Sequence, residues 1–158
     1  MSHITLAQYH SSFERQLGDF HLPEDQLQFT SMPLDKIHSP SISKDTSHVI
    51  ILLDDEPVGY FALEKGEKLS KYSSNPKARL LTSFSIDARH QGQGIAKNGL
   101  NQLPGFIKEH LPDTNEVVLG VNKRNKAATS LYLKTGFTDE DEIYEGPKGP
   151  QHILHLKI

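Results

Sequence analysis

The sequence predicts a mixed α/β (α+β) fold, in which helices cover both faces of a mostly antiparallel sheet. Three strand-like stretches follow one another in the middle of the chain, at residues 48–55, 58–66 and 78–87, with polar turns between them. A glycine-rich stretch and a helical pattern come next, and a strand at residues 116–121 completes a β–α–β unit. A meander joined to such a crossover gives a mixed sheet with helices packed against it.

The first part of the chain is predicted to hold one strand and one helix. Residues 3–10 show a short apolar alternation that indicates a strand, and apolar side chains at helical spacing predict a helix over residues 11–20. Residues 24–37 contain Pro33 and fit either a short helix or an extended segment, whereas the polar residues 39–47 predict a loop.

The third strand of the meander is expected to alternate strictly between the two faces of the sheet. One face is predicted to carry Leu80, Thr82, Phe84 and Ile86, and the other Leu81, Ser83, Ser85 and Asp87. The polar residues 67–77 that precede this strand are predicted to form a loop.

The second half of the chain is predicted to contain two helices and a final hairpin. The helix that starts near Ile95 is expected to bend near Pro104, because proline removes a backbone donor and clashes with the preceding turn. A second helix is predicted to stop at Gly136, a residue typical of the position after a helix. Residues 137–145 and 152–158 are predicted to form the last two strands.

Length and composition exclude several classes of protein. The 158 residues suit one domain spanning the chain, and the absence of cysteine excludes disulfides, thiolate metal sites and a cysteine nucleophile. The net charge of −3 and the lack of a Lys/Arg-rich run predict no nucleic-acid partner. No apolar run approaches the ~20 residues of a membrane span, and the polar start is unlike a secretory signal, so we expect a cytoplasmic protein without membrane contact. His152 and His155 would face opposite sides of a strand, so no metal site is predicted.

The stretch RHQGQGIAKNG, at residues 89–99, directly follows the third strand of the meander. It could be a glycine-rich turn, or a cradle in which backbone N–H groups and a helix N-terminus hold a phosphate. Gly92 and Gly94 stand where a backbone must approach such a ligand. The stretch lacks the G-K-[ST] of a P-loop, and Lys97 stands where a dinucleotide fingerprint has its third glycine.

Two motifs together carry a resemblance to a known family. Residues 89–94 match the pattern R/Q-x-x-G-x-G/A, and a second motif, N-x-x-A-x-x-L-Y-x-K-x-G-F, begins at Asn125 and ends at Phe137. The pair resembles the signature of the GNAT superfamily of N-acetyltransferases over residues 49–158. The resemblance implies the GNAT acyl-CoA N-acyltransferase fold, with residues 48–158 as the acetyl-CoA-binding core and residues 1–47 as a variable substrate-side segment.

The resemblance also implies a binding site for acetyl-CoA, used as a co-substrate and without a metal. The pyrophosphate would lie on the backbone of the glycine stretch, and the pantetheine would pair with the end of the third strand in a gap between two splayed parallel strands. The residues implied in this binding are Phe84, Ser85, Ile86, Arg89, Gln91, Gly92, Gln93, Gly94, Ile95, Ala96, Lys97, Asn125, Tyr132 and Lys134.

The implied reaction is the direct attack of an amine on the thioester, and Tyr132 is the predicted acid that protonates the leaving thiolate. Thr82 and Ser83 stand where many members of the family place an acidic residue, so Glu64 is predicted as the base, acting through a water. Asp87 is more easily explained as a turn or cap residue. The substrate would be a small-molecule or peptide amine, and the protein could form a homodimer. A second interpretation keeps the fold but makes it a non-catalytic acyl-CoA sensor or interaction module.

Overall fold

A computed structural model of the chain describes residues 3–158, and its centre is one seven-stranded sheet. The strand order is β1-β2-β3-β4-β5-β7-β6, and β4 and β5 form the parallel pair in an otherwise antiparallel arrangement. The strands are β1 (Ile4–Gln8), β2 (Ser47–Leu53), β3 (Glu56–Glu64), β4 (Ala78–Ile86), β5 (Glu116–Asn122), β6 (Thr138–Gly146) and β7 (Gly149–Lys157).

Within residues 3–158 seven α-helices accompany the sheet, and most of them are short. They are α1 (Glu14–Leu17), α2 (Glu24–Leu27), α3 (Pro33–Ile37), α4 (Glu67–Ser70), α5 (Ile95–Asn101), α6 (Leu103–His110) and α7 (Lys126–Lys134). None of the helices in the part of the chain that the structure describes is long and apolar enough to span a bilayer. Within that same part, no cluster of histidine and acidic side chains has the arrangement of a metal site.

Two hydrophobic clusters lie on opposite faces of the sheet. On one face Ile51 of β2 packs in a cluster with Leu100 of α5 and Ile107 of α6. On the other face Ile50 packs with Leu17 of α1, and side chains from the neighbourhood of α3 cover the same cluster. Successive residues of a strand point to opposite faces, so the helices cover both faces, and the predicted fold class is confirmed.

Most predicted elements are present, and the helices that differ from the prediction lie in segments of low hydrophobic periodicity. The meander, the strand before α7, the final hairpin and the helix end at Gly136, which has a φ of +107°, all match the prediction. The predicted helix over residues 11–20 is shorter, since a 3-10 turn leads into the four-residue α1. Residues 24–37 form two short helices, α2 and α3. The predicted loop at residues 67–77 contains the short helix α4, so that prediction was wrong.

The predicted alternation of β4 is wrong beyond Ser83. Thr82 pairs with Ala62 of β3 and Ser85 pairs with Tyr60, so two residues of β4 oppose one residue of β3. This β-bulge places Ser83 at a φ of +56° and reverses which side chains face the α5–α7 side. Phe84 and Ile86 therefore pack in the same cluster as Leu81, whereas Leu80 packs in a separate small cluster.

The helical region after the glycine stretch is broken where the sequence predicts it. α5 ends at Asn101, α6 begins at Leu103, and Pro104 occupies the first turn of α6. A proline fits the first turn of a helix because the backbone N–H groups there have no partner within the helix. The predicted bend near Pro104 is therefore confirmed.

Candidate active site

A cleft opens where β4 and β5 separate. The two strands pair only through Ala78–Leu80 and Glu116–Val118, and each continues for several residues beyond its last pair. The cleft has a volume of about 820 Å³. Residues 80–86 of β4 and 119–122 of β5 line its two sides, and the inner face of α7 and the segment from α2 to α3 also contribute. The β4 edge that faces β5 thus has free backbone groups that an extended ligand could pair with.

The glycine stretch lies at one end of this cleft and presents free backbone donors. Gly92 and Gly94 have φ values of +78° and +77°, in the left-handed region that favours glycine. A Cβ atom at either position would meet no atom within 4 Å, so the space above the loop is open. Within residues 3–158 no protein acceptor bonds the N–H groups from residue 91 to residue 97. A phosphate could accept several of these hydrogen bonds at the start of α5.

Eight of the residues predicted to bind the cofactor line the cleft. They are Phe84, Ser85, Ile86, Gln91, Gly92, Ala96, Asn125 and Tyr132. The others, which lie outside the cleft lining, are Arg89, Gln93, Gly94, Ile95, Lys97 and Lys134. Lys134 borders a separate cavity of about 500 Å³ on the outer side of α7.

The guanidinium of Arg89 is held by one carboxylate of its own loop and by a second from the segment after α1. It donates to Asp87 Oδ2 at 2.7 Å and to Asp19 Oδ2 at 3.0 Å. Burial alone would raise the pKa of Asp87, but hydrogen bonds from Arg89 and from the His21 backbone lower it to about 2. Asp87 also accepts from the Arg89 N–H as the cap of a 3-10 turn, as the sequence predicts. Arg89 therefore braces the loop in this arrangement.

Asn125 and Tyr132 come from the two ends of α7. The Asn125 side-chain oxygen caps the helix by accepting from the Ala128 N–H at 3.2 Å, which leaves its amide N–H groups for the cleft. The Tyr132 ring contacts Phe84 and Phe137 edge to face, at centroid distances of 6.1 and 5.6 Å. Its hydroxyl has no hydrogen-bond partner among residues 3–158, and burial raises the pKa of Tyr132. The phenol therefore keeps its proton at neutral pH.

Glu64 is buried at the end of β3 and is surrounded by donors. One oxygen, Oε2, lies 2.9 Å from Lys36 Nζ and 3.4 Å from Lys68 Nζ, and it also accepts from the Thr82 hydroxyl. Burial alone would raise the pKa of Glu64, but these hydrogen bonds and the two lysine charges lower it. Glu64 does not line the cleft itself, whereas Lys36, Lys68 and Thr82 do.

Several polar groups of the cleft carry no signal in the sequence. Lys36 comes from α3 and Lys68 from α4, two segments in which no motif stands out. Gln26 of α2 exchanges two hydrogen bonds with Gln91 of the glycine loop, at 3.0 and 2.8 Å. Ser85 is one of the predicted cofactor-binding residues, but the sequence does not show that its hydroxyl is buried in the cleft lining without a hydrogen-bond partner among residues 3–158. Only long-range packing brings these groups together.

A cleft that splits the sheet, with a loop of free amides at one end, can hold an extended ligand that carries phosphate groups. The chain belongs to the acetyltransferase (GNAT) family, whose family model matches residues 8–137. Family membership confirms the predicted family and the predicted class of enzyme, an N-acetyltransferase.

The relatives agree with this assignment. The chain is 40% identical over 153 residues to the uncharacterized N-acetyltransferase YbbJ of Bacillus subtilis (strain 168), and the match covers 96% of each chain. Aminoglycoside acetyltransferase AAC(6')-Ib in complex with coenzyme A has a TM-score of 0.77 at 17% identity, over 98% of this chain and 95% of that one. A chimera of the spermidine N-acetyltransferase SpeG from Vibrio cholerae has a TM-score of 0.68 at 16% identity, over 98% and 94%. At these identities the two solved structures show a shared fold.

Proposed function

We propose that this chain transfers the acetyl group of acetyl-CoA to a primary amine by direct attack through a tetrahedral intermediate. The observation that carries the proposal is the cleft between β4 and β5, with unbonded N–H groups from residue 91 to residue 97 at one end. The structural relative AAC(6')-Ib is described in complexes with acetyl-CoA and with coenzyme A, which agrees with the proposal.

In the proposed complex the glycine loop holds the pyrophosphate and β4 holds the pantetheine. The free N–H groups at the start of α5 donate to the phosphate oxygens, and the helix dipole favours their negative charge. The unpaired edge of β4 from Phe84 to Ile86 pairs with the pantetheine amides, and Asn125 donates its side-chain N–H from the other side. Lys134 and Arg89 remain in the proposed set of cofactor-binding residues. Arg89 acts indirectly, because it braces the glycine loop.

The chemistry needs one acid, one base and one oxyanion donor. The neutral amine forms an N–C bond to the thioester carbonyl, and a backbone N–H next to the β4 bulge stabilises the oxyanion. The C–S bond then breaks, and Tyr132 donates its proton to the leaving thiolate and later regains one from solvent. The proton lost by the amine passes through a water to Glu64, whose lowered pKa makes it a weak base.

We propose residues 1–47 as the substrate-side segment and residues 48–158 as the cofactor-binding core of a single domain. Support comes from α2 and α3, whose residues Gln26 and Lys36 reach the cleft from the first segment. The acceptor is a small-molecule or peptide amine. The predicted homodimer is tested by the mass of the purified protein in solution.

Calorimetry with acetyl-CoA, combined with a thiol-release assay over a panel of amines, tests the proposal. We expect binding of acetyl-CoA and release of CoA only when an amine is present. Binding without turnover on any amine would favour the non-catalytic sensor or interaction module. A protein that binds no acyl-CoA would rule out both functions.

A further inference from the structure

Two lysines and one carboxylate meet beside the cleft. Lys36 of α3 and Lys68 of α4 both lie within 3.4 Å of the same oxygen of Glu64. The Thr82 hydroxyl binds that oxygen too, which fixes the carboxylate between β3 and β4. We call Lys36, Glu64 and Lys68 the lysine-glutamate cluster.

The lysine-glutamate cluster contains more positive than negative charges. One carboxylate faces two ammonium groups, so the cluster carries a net charge of +1. The Lys36 side chain is only 11% exposed and pairs with Glu64 at 2.9 Å, so the surplus positive charge lies on Lys68, whose side chain is half-exposed beside the cleft. Burial is the main cause that lowers the pKa of Lys36, and the charge of Lys68 adds to it, whereas the hydrogen bond to Glu64 opposes the shift.

The two ammonium groups also keep unused donors. Each ammonium has three N–H bonds, and Glu64 is the one hydrogen-bond or ion-pair acceptor of both lysines within residues 3–158. Lys36, Lys68 and Thr82 all line the cleft, so the remaining donors are next to the space a substrate would enter.

The other charges of the cleft lie elsewhere. Asp25 is the one acidic residue of the cleft lining within residues 3–158, and its neighbour Gln26 bonds Gln91 of the glycine loop. Lys148 donates to the Gln28 carbonyl from the β6–β7 turn. A substrate with many ammonium groups, such as spermidine, would therefore find no free carboxylate at the lysine-glutamate cluster.

We propose that the acceptor is an amine that also carries a carboxylate, as a free amino acid does, and that Lys36 and Lys68 hold this carboxylate. The inference rests on the proposed function. A single carboxylate supplies the one missing negative charge and accepts the unused N–H groups of both lysines. A phosphate monoester would bring nearly two charges and overcompensate the cluster.

Matched pairs of acceptors test the proposal. The kcat/KM for acetylation is measured for the twenty common L-amino acids, for their carboxamides and for spermidine. The carboxamide keeps the side chain and the amine but loses the negative charge. Its amine is also the less basic of the two, so a preference for the acid cannot come from the amount of neutral amine. We expect the best acid to exceed its amide by roughly tenfold or more, the usual effect of a lost charge-assisted hydrogen bond.

A variant pair links that preference to the lysine-glutamate cluster. Lys68→Gln should reduce the preference for acid over amide by roughly tenfold, mainly through the KM of the acid, and Lys68→Arg should retain most of it. Lys71→Gln serves as the matched control, because Lys71 is exposed in the same segment and lies outside the cleft lining. Its preference should match that of the wild type.

The outcomes separate this inference from the proposed function. Turnover of amides or spermidine at least as fast as of every acid overturns the carboxylate proposal and leaves acetyl transfer intact. An acid preference that Lys68→Gln leaves unchanged also overturns it. If no amine is acetylated although acetyl-CoA binds, both the proposed activity and the carboxylate proposal fail.

Discussion

Ser83 shows how one residue shapes the cleft. Its φ of +56° lies in a region that costs an ordinary residue about 1–2 kcal/mol, and it occurs inside a strand at the β4 bulge. Before the bulge Thr82 points to the side of α3 and Glu64, and after it Phe84 points to the side of α7 and Tyr132. The bulge thus places the acid and base candidates on opposite sides of one short piece of backbone.

Tyr132→Phe tests the proposed acid at the residue scale. Because the change removes only the hydroxyl, which has no partner among residues 3–158, the free energy of unfolding should change little. We expect kcat to fall on the order of 10²-fold with acetyl-CoA affinity retained, as is typical when a general acid is removed. Steady-state kinetics and calorimetry provide the two measurements. A kcat/KM within about twofold of the wild type would remove Tyr132 from the mechanism.

At the scale of the element, α5 is a short helix, and its first turn is the part that contributes to the proposed phosphate site. It begins after Gly94 in the left-handed conformation and ends after seven residues. Gly99 lies against Ile51 of β2, where a Cβ would come within 3.4 Å of the Ile51 side chain. Gly99 therefore lets α5 pack closely on the sheet, and the free N–H groups of its first turn remain available at the cleft.

Gly92→Ala tests the start of α5 as a phosphate cradle. Alanine is disfavoured by about 1 kcal/mol at the φ of Gly92, and its Cβ would occupy the open space above the loop. We expect the Kd for acetyl-CoA, measured by calorimetry, to rise by roughly tenfold.

Gly105→Ala is the matched control for this change. Gly105 is an exposed residue of α6, and a Cβ there meets no atom within 4 Å. Alanine should leave the Kd unchanged and raise the free energy of unfolding by about 0.5–1 kcal/mol through helix propensity. Equal Kd values for both variants would mean that the glycine loop does not hold the phosphate.

At the scale of the whole molecule, a partly buried ionic cluster joins the last three strands of the sheet. His155 of β7 bonds Glu116 of β5 at 3.1 Å and Glu142 of β6 at 2.5 Å. Burial alone would lower the pKa of His155, but the hydrogen bonds to these two carboxylates raise it. The folded protein therefore binds this proton more tightly than the unfolded chain does.

This linkage predicts how stability depends on pH. The contribution of His155 is fully present below its unfolded pKa of about 6.5 and is lost as the pH rises through the higher folded pKa. Urea unfolding between about pH 6 and pH 8.5 should show the free energy of unfolding falling with pH for the wild type. His155→Gln should be less stable at the acidic end and have a flatter profile. A slope identical in both proteins would contradict the prediction.

The sequence by itself determined the meander, the crossover, the helix break near Pro104 and the two motifs on either side of the cleft. These features follow from periodicity and turn chemistry, which depend on residues close together in the chain. It also identified the glycine loop and placed Tyr132 on the inner face of α7. The short helix α4 was not predicted, and for α2 and α3 a short helix was only one of two alternatives, because four or five residues carry too little hydrophobic periodicity.

Only the tertiary structure decided which side chains meet in the lysine-glutamate cluster. Lys36 and Glu64 are 28 positions apart, and no local pattern connects them. The β4 bulge is likewise set by pairing with β3, and it overturns the strict alternation expected of the strand. The net charge of the cleft depends on residues from distant segments of the chain. The excess of one lysine over the carboxylate of Glu64 arises only because α3 and α4 pack against β3 and β4.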